Sequence, residues 1–528
     1  MSALTGTPAL ARLALRRDRI SLPLWTLVTA LVPIGFVSTY EGLYPTAADR
    51  LEYARTSGTN PTFLALYGPL YDSGVGGIVA QRAATIPVVL ALVTALTVIR
   101  HTRVEEEAGR RELLGATVLG RGAALAAALG VTAAASVVAG GVLAAGLVAQ
   151  GLPAAGSVAF GAQLIAAGLV FAAVAALAAQ LTESAAAARG LAIGAVGAAY
   201  VVRLAADAGG ADSGLSWLGW LSPFGWVQRA RPYGDERWWV FALAAAAFAA
   251  LAWGAAELSA RRDLGAGVLP PRLGPATAGR TLRGAFGLAW RLQSRASYGW
   301  VAGFAALGLV YGGVVGGVRD LVRDNPELEK VFTRLGGTHG IEDAFFASTM
   351  TTLGLIAAAQ AVSAALRARA EEAAGRVEPL LATRVGRVRW AAGHLAFAAL
   401  GPAVSLAVAG VAMGLVHDAG SVPRLTGAAL AQLPAVWVVA GAAVALFGLA
   451  PRLAAAAWAV VGAAVLITLF GAVLGFAQPV LDVSPFTHVP KLPARPVEWT
   501  PLAWLTGAAA VLTAAGLAGL RRRDLDTG

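Results

Sequence analysis

Within twelve residues, the run Arg103-Val-Glu105-Glu106-Glu107-Ala-Gly109-Arg110-Arg111-Glu112-Leu-Leu114 carries seven ionised side chains, in a chain of which only 13% is charged. On a short helix of three turns, Glu105, Glu106, Gly109, Arg110 and Glu112 would present carboxylates beside guanidinium groups, with Leu113 and Leu114 as an apolar edge. Glu106 and Arg110 stand four apart, the spacing of an ion pair along a helix face. The chemistry open to such a surface is recognition, a docking face for a soluble partner. The plainer reading is a solvated turn whose arginines set the orientation of the chain. Arginines alone would serve that purpose, and the paired glutamates would not.

The pattern returns 266 residues later, without a gap, as Glu371, Glu372, Gly375, Arg376 and Glu378, preceded by Arg369 and followed by Leu380, Thr383, Gly386 and Arg387. In a composition this rich in alanine, chance similarity pairs alanine with alanine, whereas this match falls on charges and glycines. It marks a duplication. Further landmarks recur at nearby offsets: Arg16 and Trp25 with Arg291 and Trp300, Asn60-Pro61 with Asn325-Pro326, Ser222-Pro223-Phe224 with Ser484-Pro485-Phe486, and Arg262-Asp263-Leu264 with Arg523-Asp524-Leu525. The expected halves are residues 1–270 and 271–528, joined by an Arg-, Gly- and Pro-rich stretch at 259–285.

The elements that must position these charges are apolar. The chain of 528 residues is 57% hydrophobic, and it repeats runs of about 20 apolar residues, the length that crosses a bilayer as a helix. Backbone polar groups inside a bilayer require helices or a closed barrel, and these Ala/Val/Leu/Gly runs lack the two-residue alternation of barrel strands. The fold class is therefore an all-α polytopic membrane protein. Twelve transmembrane helices are expected, near 20–40, 77–99, 122–148, 157–181, 187–206, 237–258, 299–318, 343–366, 390–416, 425–449, 453–475 and 499–520. Six helices per half is an even number, so the halves form two parallel six-helix repeats. Each charged segment then lies between the second and third spans of its half, as a short cytoplasmic helix.

Orientation follows from arginine near helix ends. Arg12, Arg16, Arg17 and Arg19, then Arg261 and Arg262, then Arg521 to Arg523 place both termini in the cytoplasm, and the expected location is the bacterial inner membrane, as a multi-pass protein. That topology accounts for the basic balance, and no nucleic-acid partner is needed. The polar, small and basic residues from Met1 to Arg19 predict no cleaved signal peptide. Ala9–Ile20 and Leu282–Arg295 are short, basic and amphipathic, and predict interfacial helices ahead of the first span of each half. Trp217, Trp220, Trp226, Trp238 and Trp239 predict an interfacial belt.

The Glu-Glu-x-x-Gly-Arg-x-Glu-x-Leu-Leu pattern followed by Gly-Arg, the stretch Arg261-Arg-Asp-Leu-Gly-Ala-Gly267, the length and the twelve-span layout together resemble the permeases of ABC-type exporters of the polyketide-antibiotic and multidrug class. The resemblance covers nearly the whole chain. It implies that Glu105, Glu106, Gly109, Arg110 and Glu112, with Glu371, Glu372, Gly375, Arg376 and Glu378, seat coupling helices on two copies of an ABC ATPase subunit. The second copy departs at Ala373, Val377 and Pro379, and Pro379 is expected to end or kink its helix early. The resemblance further implies export of hydrophobic compounds, with ATP and Mg bound by the partner.

The chain itself is no enzyme on this reading. A phosphate-binding loop needs lysine after a glycine-rich turn, and the two lysines, Lys330 and Lys491, follow Glu329 and Pro490. There is no cysteine and the five histidines are scattered, which leaves neither a metal site nor a resident cofactor. No catalytic residue is assigned. The acidic pairs on outer loops, Asp207 with Asp212 and Glu342 with Asp343, read as solvated loop charges. The alternative, a proton-coupled drug antiporter with twelve helices, requires a buried carboxylate in a span. Arg203, Glu257 and Arg82 instead sit near span ends. Gln163, Gln360, Gln432 and His394 are uncharged or only conditionally charged.

Overall fold

The computed structural model describes residues 2–524 except 60, 116, 208–213, 270–275, 278, 280–281, 283, 324–336 and 471–475. The landmarks Asn60, Asn325, Pro326 and Leu525, together with Asp212, Lys330 and part of the 259–285 joint, lie outside the described residues. The described residues are helical, without a strand, and fall into two compact units, Met1–Leu273 and Gly274–Gly528.

The first unit runs α1 (Thr7–Arg17), α2 (Ser21–Leu43), α3 (Ala47–Thr59), α4 (Pro61–Tyr67), α5 (Val75–Arg82), α6 (Ile86–His101), α7 (Arg103–Glu107), α8 (Arg110–Gly115), α9 (Ala123–Ala149), α10 (Ala154–Leu181), α11 (Ala185–Asp207), α12 (Pro223–Gln228) and α13 (Val240–Arg261). The second runs α14 (Ala285–Arg323), α15 (Gly337–Ala373), α16 (Glu378–Leu381), α17 (Arg387–His417), α18 (Val422–Leu430), α19 (Leu433–Leu449), α20 (Ala457–Val465), α21 (Gln478–Leu481) and α22 (Trp499–Arg522).

Eleven helical stretches among the described residues are long and apolar enough to cross a membrane. They coincide with eleven of the expected spans. The remaining expectation, 299–318, falls inside α14, whose side chains from 314 onward lie outside the described residues. Prolines account for most of the differences in detail. The expected span 77–99 is broken at Ala83–Thr85, and Pro87 opens α6 in its first turn, where its missing N–H costs nothing. Likewise 425–449 is broken after α18, and Pro434 starts α19. The 453–475 span enters through a tight Pro451–Ala456 turn and leaves through a π-turn at Leu466–Phe470.

Of the two expected interfacial helices, only the first stands alone. α1 ends at Arg17, and the chain turns at Asp18 before α2, which carries Pro23 in its opening turn. Nothing comparable interrupts residues 285–299, so the second segment merges with the expected span into the single 39-residue helix α14.

Small residues decide the packing. In the first unit, α10 is buried over 72% of its apolar stretch, against 44% for α9 and 17% for α13, which makes it the hub. Gly161 of α10 and Gly140 of α9 cross so closely that a Cβ on either would strike the other's carbonyl oxygen. In the second unit α19 and α22 also meet closely: a Cβ on Gly448 would strike the Gly516 carbonyl oxygen, and one on Gly516 the Val444 carbonyl oxygen. Gaining no hydrophobic drive inside lipid, membrane helices associate by this close fit. The outward face of α2 is greasy, with Leu24, Leu27, Val28, Leu31 and Val32 exposed, as a lipid-facing helix requires. The Ser-Pro-Phe landmarks are local caps: Ser222 accepts from the Gly225 N–H and Ser484 from the Phe486 N–H, and Phe224 and Phe486 are both buried. Trp217, Trp220, Trp238 and Trp239 are exposed, Trp220 stacks on Trp239, and the Trp226 indole N–H donates to the Trp220 carbonyl.

Candidate functional site

The charged segment of the first unit is two short helices, where the sequence suggests one. α7 ends at Glu107, and Gly109 adopts φ 68°, a left-handed turn that favours glycine and reverses the chain into α8. Gly375 adopts the same φ of 68° after α15, and the Gly109 and Gly375 N–H groups donate to the Glu106 and Glu372 carbonyls. In the second unit the departure at Pro379 acts opposite to expectation: it opens the short helix α16 instead of ending one.

The turn re-pairs the charges. Glu106 and Arg110 do not meet along a helix face; the pairs formed are five apart. Arg110 grips Glu105 with two parallel hydrogen bonds, Nε to Oε2 at 2.7 Å and Nη2 to Oε1 at 2.8 Å, and Arg111 pairs with Glu106. Residues five apart on a continuous helix point away from each other, so these pairs exist only because Gly109 folds the chain back. The bond to Glu105 holds the Arg110 guanidinium above its ordinary pKa. In the second unit Arg376 grips Glu371 in the same manner, at 2.7 and 3.1 Å.

Three consecutive glutamates of the first elbow tie it to three separate places. Glu105 also pairs with Arg17 of α1 at 2.8 Å. The Glu107 carboxylate accepts from the Ala185 N–H at 3.0 Å, capping α11, where an anion offsets the unpaired N–H groups of a helix start. Glu106 is the anchor. Its side chain is 1% exposed and meets Arg103 at 2.8 Å and Arg262, just past α13, whose Nη2 donates to both carboxylate oxygens at 2.9 and 2.8 Å. Arg103 is itself fully buried and donates to the Ala179 carbonyl at the end of α10 and to Gly265 and Ala266. Arg262 continues to Gln180 Oε1 at 2.7 Å and the Ala266 carbonyl at 2.8 Å. Every charge in this buried cluster is paired and hydrogen-bonded, the condition under which burial is tolerated.

The second elbow repeats the anchor. Glu372, with a fully buried side chain, takes two parallel hydrogen bonds from Arg523, at 2.6 and 2.7 Å, and lies 3.9 Å from Arg369. Glu371 pairs with Arg367 at 2.8 Å. Ala373 stands where the first copy has Glu107, so the cap has no counterpart there.

Of the ten residues singled out by sequence, Glu106, Glu371 and Glu372 are buried anchors and Glu105 is half-buried. Burial turns these carboxylates inward. Arg110, Glu112, Arg376 and Glu378 are exposed on the outer side of the elbows, and Gly109 and Gly375 make the turns. Sequence reasoning did not assign Arg103, Arg262, Arg369, Arg523 or Glu107 a place in the site. The signal was present for the first four, because Arg262-Asp263-Leu264 and Arg523-Asp524-Leu525 recur together with the elbows they clamp.

Away from the elbows, two further sites of the first unit bury ionisable groups. Arg203 and Asp207 are buried 3.5 Å apart at the end of α11, and Arg203 donates to the Leu66 carbonyl. Arg82 lies over the rings of Phe63, Tyr67, Tyr53 and Tyr40 at 4.8–5.9 Å. Burial raises the Tyr53 hydroxyl to about 12. Among the described residues no three His, Cys, Asp or Glu side chains gather as metal ligands would.

Residues 282–521 match the family described as Multidrug efflux system permease Rv1217c, C-terminal domain. Over 99% of its length the chain is 43% identical to the Multidrug efflux system permease protein Rv1217c of Mycobacterium tuberculosis, covering 96% of that protein. At 43% identity over nearly the whole length of both proteins, the chain belongs to the family of the multidrug efflux system permease Rv1217c.

Proposed function

We propose that this chain is the membrane-spanning subunit of an ATP-driven exporter that moves hydrophobic compounds out of the cell, working with two copies of a separate ABC ATPase. The observation that carries this reading is the pair of elbows. Each shows an exposed charged outer side, Arg110 and Glu112 or Arg376 and Glu378, and each is locked by a buried glutamate to the end of its unit's last helix. A force applied to such an elbow is delivered to several helices together. On this reading the two units are parallel six-helix repeats with twelve spans in all, both termini face the cytoplasm, and the membrane is the bacterial inner membrane. ATP and Mg bind the partner. ATP binding closes the partner dimer and displaces both elbows, with the work supplied by its differential affinity for the inward- and outward-facing states. The multidrug efflux named for the homologous permease supports a greasy small-molecule cargo.

The test is efflux from vesicles containing the chain with and without the co-purified ATPase. ATP-dependent efflux that persists after the proton gradient is collapsed is the expected result; gradient-driven efflux by the chain alone would replace this reading with the antiporter. Charge reversal on the exposed side, Arg110→Glu with Arg376→Glu, is expected to cut ATPase co-purification by at least about tenfold, the equivalent of 1.4 kcal/mol. Undiminished co-purification would remove the elbows from the docking site.

A further inference from the structure

A cavity of about 400 Å³ lies behind the first elbow, where α1 meets the start of α9 and the segment after α13. Its volume is in the range of sites that hold small ligands. One wall is apolar, built from Leu10 and Leu13 of α1, Leu119, and Ala124 of α9. The other is cationic. Arg17, Arg111, Arg121 and Arg262 line it, against Glu105, Glu106 and Asp263. Two of those carboxylates are already neutralised from outside the cavity, Glu105 by Arg110 and Glu106 by Arg103. The surplus charge is therefore positive.

The donors are also to hand. A guanidinium carries five N–H groups. Arg17 and Arg111 each spend Nη1 on a carboxylate, and among the described residues no other hydrogen bond occupies the rest of either fork. Arg121 is exposed and forms no ion pair or hydrogen bond among the described residues, whereas the residue that repeats it, Arg387, donates to the Arg523 carbonyl. The walls are fixed in place: the Gly120 and Gly122 N–H groups donate to the Thr5 and Ala3 carbonyls, and Ala14 packs with Leu22, Val131 and Ala135.

We propose that this cavity binds the phosphate of an anionic phospholipid, with the guanidinium groups of Arg17, Arg111 and Arg121 on the phosphate and the glycerol and upper acyl chain along Leu10, Leu13 and Leu119. The amphipathic helix α1, whose Leu13 and Leu15 are exposed, sets the cavity at the level of the membrane surface. Because Arg17 and Arg111 also hold Glu105 and Glu106, the bound lipid touches the ties of the elbow and tunes how firmly it is held. That consequence rests on the function proposed above; the lipid site itself does not.

The full-length chain, delipidated in a non-ionic detergent, is offered equimolar phosphatidylglycerol and phosphatidylcholine and examined by native mass spectrometry. Retention of phosphatidylglycerol at least about tenfold over phosphatidylcholine is expected, corresponding to 1.4 kcal/mol. Ala124→Trp, which fills the cavity without changing charge, and Arg121→Glu, at an exposed position, are each expected to abolish the preference while the thermal unfolding midpoint stays within a few degrees. Equal retention of both lipids overturns the proposal. So does a preference that survives in both variants, which would place the lipid on the general basic surface. Inorganic phosphate offered alone and retained in the cavity would assign the site to a free anion and overturn the lipid assignment. An ATPase that fails to associate while phosphatidylglycerol is still selected would sink the proposed function and leave this site standing.

Discussion

The charges of the first elbow lie at different depths, and substitution should separate the buried Glu106 from the exposed Arg110. Glu106 has a 1% exposed side chain and answers to Arg103, Arg111 and Arg262. Glu106→Gln would leave those arginines under-compensated in a buried place, and breaking a buried ion pair from one side costs about 3–5 kcal/mol. A fall of that size in the stability of the purified chain, followed by chemical unfolding, is the expected outcome. A change under about 1 kcal/mol would mean that water reaches the cluster. Arg110→Ala removes a pair at the exposed side, where ion pairs contribute little, and should alter stability by less than about 1 kcal/mol.

At the scale of elements, what matters is how a short turn is held between long helices. Gly109 and Gly375 have positive φ and open space where a Cβ would stand, so alanine meets no clash and suffers only the backbone penalty. Gly109→Ala and Gly375→Ala should each destabilise by about 1 kcal/mol. If the left-handed turn is incidental, unchanged unfolding curves will say so. The Glu107 cap predicts an asymmetry. Glu107→Ala should speed amide hydrogen exchange over the first turn of α11, Ala185 to Arg189, because the Ala185 N–H loses its acceptor. Ala373→Glu should leave exchange unchanged at Leu453–Ala456, in the turn that opens the fifth span of the second unit, where the Leu453 N–H already donates to the Ala450 carbonyl. Equal protection in wild type and Glu107→Ala would show that the cap is not formed.

For the whole molecule, the absence of cysteine allows a clean test of the proposed topology. Single replacements report sidedness without background: Glu112→Cys on the first elbow should resist a membrane-impermeant thiol reagent applied to intact cells. Asp235→Cys, whose side chain is 85% exposed in the turn before α13, should react. Labelling of both from outside, or of neither, would invalidate the proposed orientation. Close helix crossings set the tolerance of each unit. Gly448→Leu forces side-chain atoms into the Gly516 carbonyl and should abolish recovery of folded protein, whereas Gly462→Ala, with open space around it, should be silent.

Composition and periodicity by themselves determined that the chain is helical, where eleven of its membrane-length stretches lie, and which two segments carry the charge. Those properties depend on local apolar content and on residue types that recur at fixed offset. The resemblance to exporter permeases, read from those same segments, agrees with the family relationship found by comparison. Only the tertiary structure decided the role of each charge. Whether Glu106 faces water or Arg262 depends on a left-handed turn at Gly109 and on an approach between residues 156 positions apart. The same holds for α14: its merger of an expected interfacial segment with a span follows from the lack of any breaker between them, yet it shows only once the helix is traced. Local pattern specifies which side chains can ionise or bury; partner choice is a long-range property, set by where packed helices bring their ends together.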